Sequence, residues 1–359
     1  MKLLRRRGED RRADDLVPPA GSAREAPPSS EQEFAGTDAA LHAEIVRLHS
    51  ANRVQPSPGI ERRLLWLRHL AGIRERDRAG GESEYPTPDA GALPTFEANL
   101  PGVAADELTP ELLRAGILRD GCLLVRGLID RDQARHFAAE IDRSFQERDR
   151  FDEGGPGAEG YYEEFTPHPR FDPYLGRPWI KMGGGVYAAD SPRLSFQMVE
   201  LFHAAGLPEL MSRYLGEPAL ISVHKSTLRR AEPSVPGAWH QDGAFMGSVR
   251  SLNLWLALSR CGDESPGLDV VPIRLHDFVT TQTEEATLEM QVSQTKAEQA
   301  AGERGVLRPI FEPGDALLFD ELFLHKTGSD PSMPKPRYAL ESWFFGGSTF
   351  PSAYAPIAV

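Results

Sequence analysis

From residue 219 to residue 345 the chain is a succession of short apolar runs, each closed by turn-forming residues, and this spacing constrains the fold more than any other feature. Runs over 219–229, 237–242, 252–258, 267–271, 305–310, 316–319 and 337–345 are of strand length, and their recurrence predicts a β-sandwich or barrel. In Leu252-Asn253-Leu254-Trp255-Leu256-Ala257-Leu258 the leucines fall on one face and Asn253, Trp255 and Ala257 on the other. One face can then meet a helical layer while the other lines a cavity. The run over 219–229 offers two inward sets, His224, Ser226 and Leu228 or Lys225, Thr227 and Arg229, and its pattern does not choose between them.

Ahead of these runs the signals are helical. Leu41, Ile45 and Leu48, then Leu64, Leu67, Leu70 and Ile73, recur at helical spacing and predict a hairpin of helices over 37–50 and 59–76 with a Pro-containing turn. Thr109-Pro110 starts a further helix, Asp120-Gly121 turns the chain into the buried strand 122–125, and Asp130 caps a helix striped by Ala134, Phe137, Ala138, Ile141 and Phe145. Residues 152–192 read as an irregular excursion, 194–215 as one helix, and the polar stretch 280–302 as an inserted helix or lid. The expected organisation is therefore a disordered tail over 1–37, a helical hairpin and linker over 38–92, a β-rich domain over 93–346 and a C-terminal tail over 347–359.

Composition excludes several functions. A formal charge of -13 argues against binding a phosphate backbone, and no run approaches the roughly 18 apolar residues of a membrane span. Two cysteines, Cys122 and Cys261, cannot build a disulfide framework, and the basic stretch from Met1 to Arg7 lacks the apolar core of a signal peptide. These features fit a cytoplasmic protein acting on a small molecule, with no nucleic acid or membrane as partner.

Chemistry enters at Trp239-His240-Gln241-Asp242-Gly243. On a strand His240 and Asp242 project to one side and Gln241 to the other. If His325, following the apolar run after Pro313-Gly314, reaches the same point, two histidines and one carboxylate form a facial triad suited to non-haem Fe(II). The control is His42-Ala43-Glu44, with the same spacing in a predicted helix, where residues two apart share no face. Arg337, heading the last run, carries a planar fork suited to a carboxylate.

Taken together, these segments resemble the phytanoyl-CoA dioxygenase family of Fe(II)- and 2-oxoglutarate-dependent oxygenases over about residues 93–346. The likeness is carried by the stretch from Arg119 to Leu128, by Trp239-His240-Gln241-Asp242, by Leu254 to Leu258, and by Gly314 to Phe319 leading into His325-Lys326-Thr327-Gly328 and Arg337. The resemblance implies a double-stranded β-helix, a jelly-roll relative, flanked by helices and preceded here by a helical extension. It implies His240, Asp242 and His325 as iron ligands, Arg337 as the grip on the distal carboxylate of 2-oxoglutarate, and Thr327 as its hydroxyl partner. Trp255, on the Asn253 side of its run, either lines the site or packs in the core. The cofactors implied are Fe(II), 2-oxoglutarate and O2, and the reaction is hydroxylation of a C–H bond with release of succinate and CO2. Halogenating relatives have a small residue in place of the carboxylate, so Asp242 favours hydroxylation, while desaturation and ring formation stay open. The segment from Glu264 to His276 departs from the family pattern and alters the pocket rim. Two rival readings, a ligand-binding or regulatory module on the same fold and a metal-dependent isomerase or hydrolase, have no need of Arg337.

Overall fold

The short runs pair into two sheets. A computed structural model describes residues 34–81, 83–95, 100–158, 160–247, 249–283, 286 and 288–359. Its strands are β1 (Gly102–Ala104), β2 (Cys122–Arg126), β3 (Gly185–Tyr187), β4 (Ala219–Ala231), β5 (Ser251–Ala257), β6 (Gly267–Val270), β7 (Ala316–Phe319), β8 (His325–Gly328), β9 (Arg337–Gly346) and β10 (Pro356–Ala358). Its helices are α1 (Asp38–Val54), α2 (Pro58–Arg78), α3 (Pro110–Asp120), α4 (Arg131–Asp152), α5 (Arg177–Met182), α6 (Pro192–Ala204), α7 (Leu207–Leu215), α8 (Gly243–Met246) and α9 (Gln294–Ala301). The larger sheet runs β1-β2-β7-β5-β9-β4-β10, with β3 also on β4. The smaller sheet pairs β6 with β8 and is extended by bridges from Trp239 to Val292, His240 to His325 and Val270 to Leu307. The two sheets form the double-stranded β-helix.

Alternation along the strands divides the core. On the outer face, Leu252, Leu254 and Leu256 of β5 join Leu340 and Phe344 of β9 against helical residues such as Ile117, Phe137, Ile141, Met198 and Phe202. Toward the smaller sheet, Trp255 and Ala257 join Leu317, Phe319, Ala339, Trp343 and Phe345 in a second cluster. Each fully buried leucine or phenylalanine contributes about 1.5–3 kcal/mol, so both faces of the large sheet are strongly committed.

Several expectations are corrected. The expected helix over 194–215 is two, because Gly206 adopts a left-handed conformation (φ 66°) between α6 and α7. Residues 305–310 form no strand beyond the single bridge at Leu307. The segment 280–302, expected as an inserted helix or lid, does contain a helix, α9, and its Val292, Ala297 and Ala301 pack with Trp239, Val271 and Leu324. The expected tail over 1–37 lies outside the described residues as far as residue 33, and Thr37 is the N-cap of α1. Residues 347–359 are not a tail: β10 pairs with β4 through Pro356, Ile357 and Ala358.

The hairpin of α1 and α2 belongs to the same unit as the β-core, which spans Phe34–Val359. His69 on α2 accepts from the His168 N–H at 3.0 Å through Nε2, so its Nδ1 carries the proton and donates to Pro356 O at 2.6 Å. Gly72 lets the helix approach further, since a Cβ there would lie 2.9 Å from Ile357 N and 3.0 Å from Ala358 N. Gly72→Val is therefore expected to cost about 1–3 kcal/mol and lower the melting temperature, with Gly72→Ala milder. An unchanged melt for Gly72→Val would mean that α2 and β10 do not pack as described.

Candidate metal centre

The strand reading of His240-Gln241-Asp242 gives way to a different local geometry. Only Trp239 and His240 bridge to other strands, and Asp242 has helical dihedrals (φ -63°, ψ -26°) as the N-cap of α8. What brings His240 to His325 is a hydrogen-bonded antiparallel pair, with His240 N–H to His325 O at 3.0 Å and His325 N–H to His240 O at 3.1 Å. Residues directly opposite in such a pair place their side chains on one face. His325 opens β8 after the turn that follows β7, and does not end the apolar strand itself. Asp242 reaches the same point because α8 begins there, with Gly243 N–H donating to Glu321 O at 2.9 Å. Gln241, turned the other way, bonds Leu322 O at 2.6 Å and the Val279 N–H at 2.8 Å.

His240, Asp242 and His325 offer three ligand atoms within 4.8 Å of one another. Asp242 Oδ2 lies 4.0 Å from His240 Nε2 and 3.7 Å from His325 Nε2. Each imidazole turns Nδ1 to a backbone carbonyl two residues upstream, Ala238 O at 2.8 Å for His240 and Phe323 O at 3.1 Å for His325. A carbonyl only accepts, so Nδ1 holds the proton and Nε2 presents its lone pair, the arrangement typical of metal-binding histidines. Burial, with His240 beside it, pushes the His325 imidazole down to about 4. Burial pushes the Asp242 carboxyl up, but Lys225, His240 and His325 outweigh it and hold it well below the usual carboxylate range. Neutral imidazoles and an ionised carboxylate are the forms that bind a metal.

The register of β4 is settled in favour of the cationic set. Lys225 Nζ donates to Asp242 Oδ1 at 2.9 Å, Arg229 Nε donates to Glu341 at 2.9 Å, and Ser226 instead bonds Ser342 at 2.8 Å. Arg337, Ala339 and Glu341 alternate on the inner side of β9, whereas Leu340 and Phe344 join the outer cluster. Arg337 is 1% exposed, and among the described residues its one hydrogen bond is from Nη1 to Gly267 O at 3.3 Å. Its Nε, Trp255 Nε1 and Asn253 Oδ1 are buried without hydrogen-bond partners among the described residues. Trp255 lies under the guanidinium at 5.2 Å, so it sits on the cavity side as its alternation predicts. Thr327 shares with His325 one side of β8 by alternation.

Three orphaned polar atoms on one inner wall are costly unless a polar ligand meets them. On the inner side of the large sheet the half-buried Lys225 and Arg229 and the buried Arg337 accompany the carboxylates Asp242 and Glu341, an excess of one positive charge among these described residues before any metal is counted. The residues therefore fit a divalent ion together with a small dianion.

The sequence of residues 117–337, more than half of the chain, matches the phytanoyl-CoA dioxygenase (PhyH) family. The chain belongs to this family. Members are dioxygenase-type enzymes, and their cofactors, iron and 2-oxoglutarate, are those the donor set fits. No curated protein matches the chain closely. Among solved structures it is similar to EctD from S. alaskensis, described with 2-oxoglutarate and 5-hydroxyectoine, at 17% identity and TM-score 0.48, covering 76% of this chain and 86% of that one. It is also similar to the carbocyclase SnoK from nogalamycin biosynthesis, at 15% identity and TM-score 0.44 over 68% of this chain and 87% of that one. A third likeness is AviO1 from Streptomyces viridochromogenes Tue57, at 18% identity and TM-score 0.42 over 67% of this chain and 96% of that one.

Sequence reasoning missed part of the site's rim. Phe245, 41% exposed, stands 6.0 Å from the His240 ring and 5.1 Å from Lys225 Nζ. Tyr354 stacks on His224 at 5.0 Å, and the Ala355 N–H donates to His224 Nδ1 at 3.3 Å. Phe245 carried a signal, five residues after His240; Tyr354 carried none, lying in a segment that reads as a tail. The decoy His42-Ala43-Glu44 lies in α1, where Glu44 pairs with Arg47. A cavity of about 540 Å³ between α1, α2 and Val359 lies apart from the triad, and its arginines are largely neutralised, as Arg53 is by Glu200 and Arg74 by Asp38.

Proposed function

We propose that this protein is an Fe(II)- and 2-oxoglutarate-dependent dioxygenase that hydroxylates a C–H bond of a small molecule, releasing succinate and CO2. The observation that carries the reading is Arg337, a buried guanidinium without a carboxylate in ion-pair contact among the described residues, on the inner face of the large sheet, while the small sheet carries two histidines with free Nε2 lone pairs. Neither a hydrolytic metal site nor an empty binding module accounts for a buried, unpaired cation at that place.

In this reading His240, Asp242 and His325 hold the iron, and Arg337 takes the far carboxylate of 2-oxoglutarate, with Thr327 as hydroxyl partner and Trp255 as the wall beneath. With oxygen, the iron and co-substrate supply an oxidant strong enough for an unactivated C–H bond. The protein's own residues bind, orient and exclude water. Arg337 fixes which end of the co-substrate points inward, Trp255, Phe311 and Phe319 keep that wall dry, and the open side at His240 and Phe245 admits the substrate. Asp242 leaves no space for a halide, which favours hydroxylation. Among the described residues no helix is long and apolar enough to cross a membrane, and both cysteines are free thiols, which suits a cytoplasmic enzyme.

Anaerobic addition of Fe(II) and 2-oxoglutarate to the protein is expected to produce a weak visible charge-transfer band that saturates with both components. A folded, iron-loaded sample showing no band would overturn the reading.

A further inference from the structure

We infer that Lys225 is a positioning residue that keeps Asp242 a one-oxygen ligand, so that the metal retains the open position that oxygen needs. The inference rests on the proposed function and concerns what that site requires of its carboxylate. A carboxylate can bind a metal through one oxygen or both. Two imidazoles and one oxygen take three of six octahedral positions; a chelating 2-oxo acid takes two more and leaves one. A second oxygen from Asp242 would close it.

The two oxygens of Asp242 have different surroundings. Oδ2 faces both imidazoles, 4.0 Å from His240 Nε2 and 3.7 Å from His325 Nε2, whereas Oδ1 accepts a hydrogen bond from Lys225 Nζ at 2.9 Å. Lys225 is itself held in place. Its ammonium lies 5.1 Å from the Phe245 ring, and its side chain is only 18% exposed. The preceding residue, His224, is pinned by stacking on Tyr354 and by the Ala355 N–H. The backbone is irregular at this point: β4 pairs with β9 up to Ile221 and again from Ser226, with a register shift between. Such an irregularity re-aims side chains, and here it delivers a lysine to a ligand carboxylate. A role in charge balance alone would not require the ammonium to choose the oxygen turned away from the histidines.

The test uses the full chain under anaerobic conditions, with Co(II) as spectroscopic stand-in and 2-oxoglutarate as titrant. Lys225→Met is expected to bind Co(II) within about threefold of the wild type. Its Co(II) spectrum before 2-oxoglutarate is added should differ from the wild type's, because the carboxylate closes onto the ion. Its 2-oxoglutarate affinity should fall at least tenfold, about 1.4 kcal/mol. Lys225→Arg, which keeps a cationic donor, should restore both. The inference is overturned by a wild-type Co(II) spectrum in Lys225→Met, by loss of metal binding along with 2-oxoglutarate, or by Lys225→Arg failing as Met does. If Lys225→Met does not fold, Lys225→Gln is compared by the same three readouts. If the wild type binds Co(II) but not 2-oxoglutarate, the proposed function fails, while the Co(II) spectra still decide the role of Lys225.

Discussion

Replacing Asp242 with alanine is expected to lower 2-oxoglutarate-dependent succinate formation by at least ~1,000-fold, about 4 kcal/mol of barrier. The carboxylate is the one anionic member of the triad, and its Oδ2 is the oxygen that faces both imidazoles. Without it two neutral imidazoles must hold a divalent ion, and metal occupancy should fall in step with turnover. The variant also leaves Lys225 without its partner in a largely buried place. Stripping one member from a buried pair costs up to about 3–5 kcal/mol, so the melting temperature should drop while the fold persists. Asp242→Asn separates the two effects, because its amide oxygen still accepts from Lys225 but supplies no charge. It should melt between Asp242→Ala and the wild type and remain inactive. Succinate assay, metal analysis and thermal melting measure the three quantities, and normal turnover in either variant would show that the triad is misassigned.

Arg337→Met is expected to weaken 2-oxoglutarate binding by about 100-fold or more, roughly 3 kcal/mol, with iron binding unchanged. The guanidinium is buried, its Nε has no partner among the described residues, and it sits over Trp255. Burial pulls the guanidinium below its ordinary value and Glu341 offsets that only in part, so a carboxylate delivered to the guanidinium would be held strongly. Arg337→Lys should recover little, since an ammonium cannot reproduce the two-pronged bond to a carboxylate or the flat packing on the indole. Titrating the charge-transfer band with 2-oxoglutarate reads the affinity directly. An affinity within twofold of the wild type in Arg337→Met would remove Arg337 from the co-substrate site.

Much of the fold was legible because alternation is a local property. The leucines of β5 face the helices and Trp255 faces the cavity, as a period of two dictates. The caps at Thr109 and Asp130 appear where sequence places them, with Thr109 Oγ1 accepting the Leu112 N–H at 3.1 Å and Asp130 accepting the Asp132 N–H at 2.8 Å. The single helix expected over 194–215 failed at Gly206, where a left-handed residue ends one helix before the next begins. Residues 347–359 were misjudged because a three-residue strand such as β10 has too little pattern to announce itself, and its partner is over a hundred residues away.

What the sequence alone determined was the set of chemical groups and their order: a histidine two residues before an aspartate, a distant histidine, an arginine twelve residues after it, and strand-length runs able to carry them. Those are facts of covalent order and side-chain chemistry, and they sufficed to suggest the family. The tertiary structure decided how the groups meet. His240 and His325 converge through reciprocal backbone bonds, Asp242 joins them from a helical turn and not a strand, and Lys225 takes the spare carboxylate oxygen because β4 slips its register there. Pairing across 85 residues between His240 and His325, and the choice between two inward faces of β4, are set by contacts between segments that no local pattern encodes.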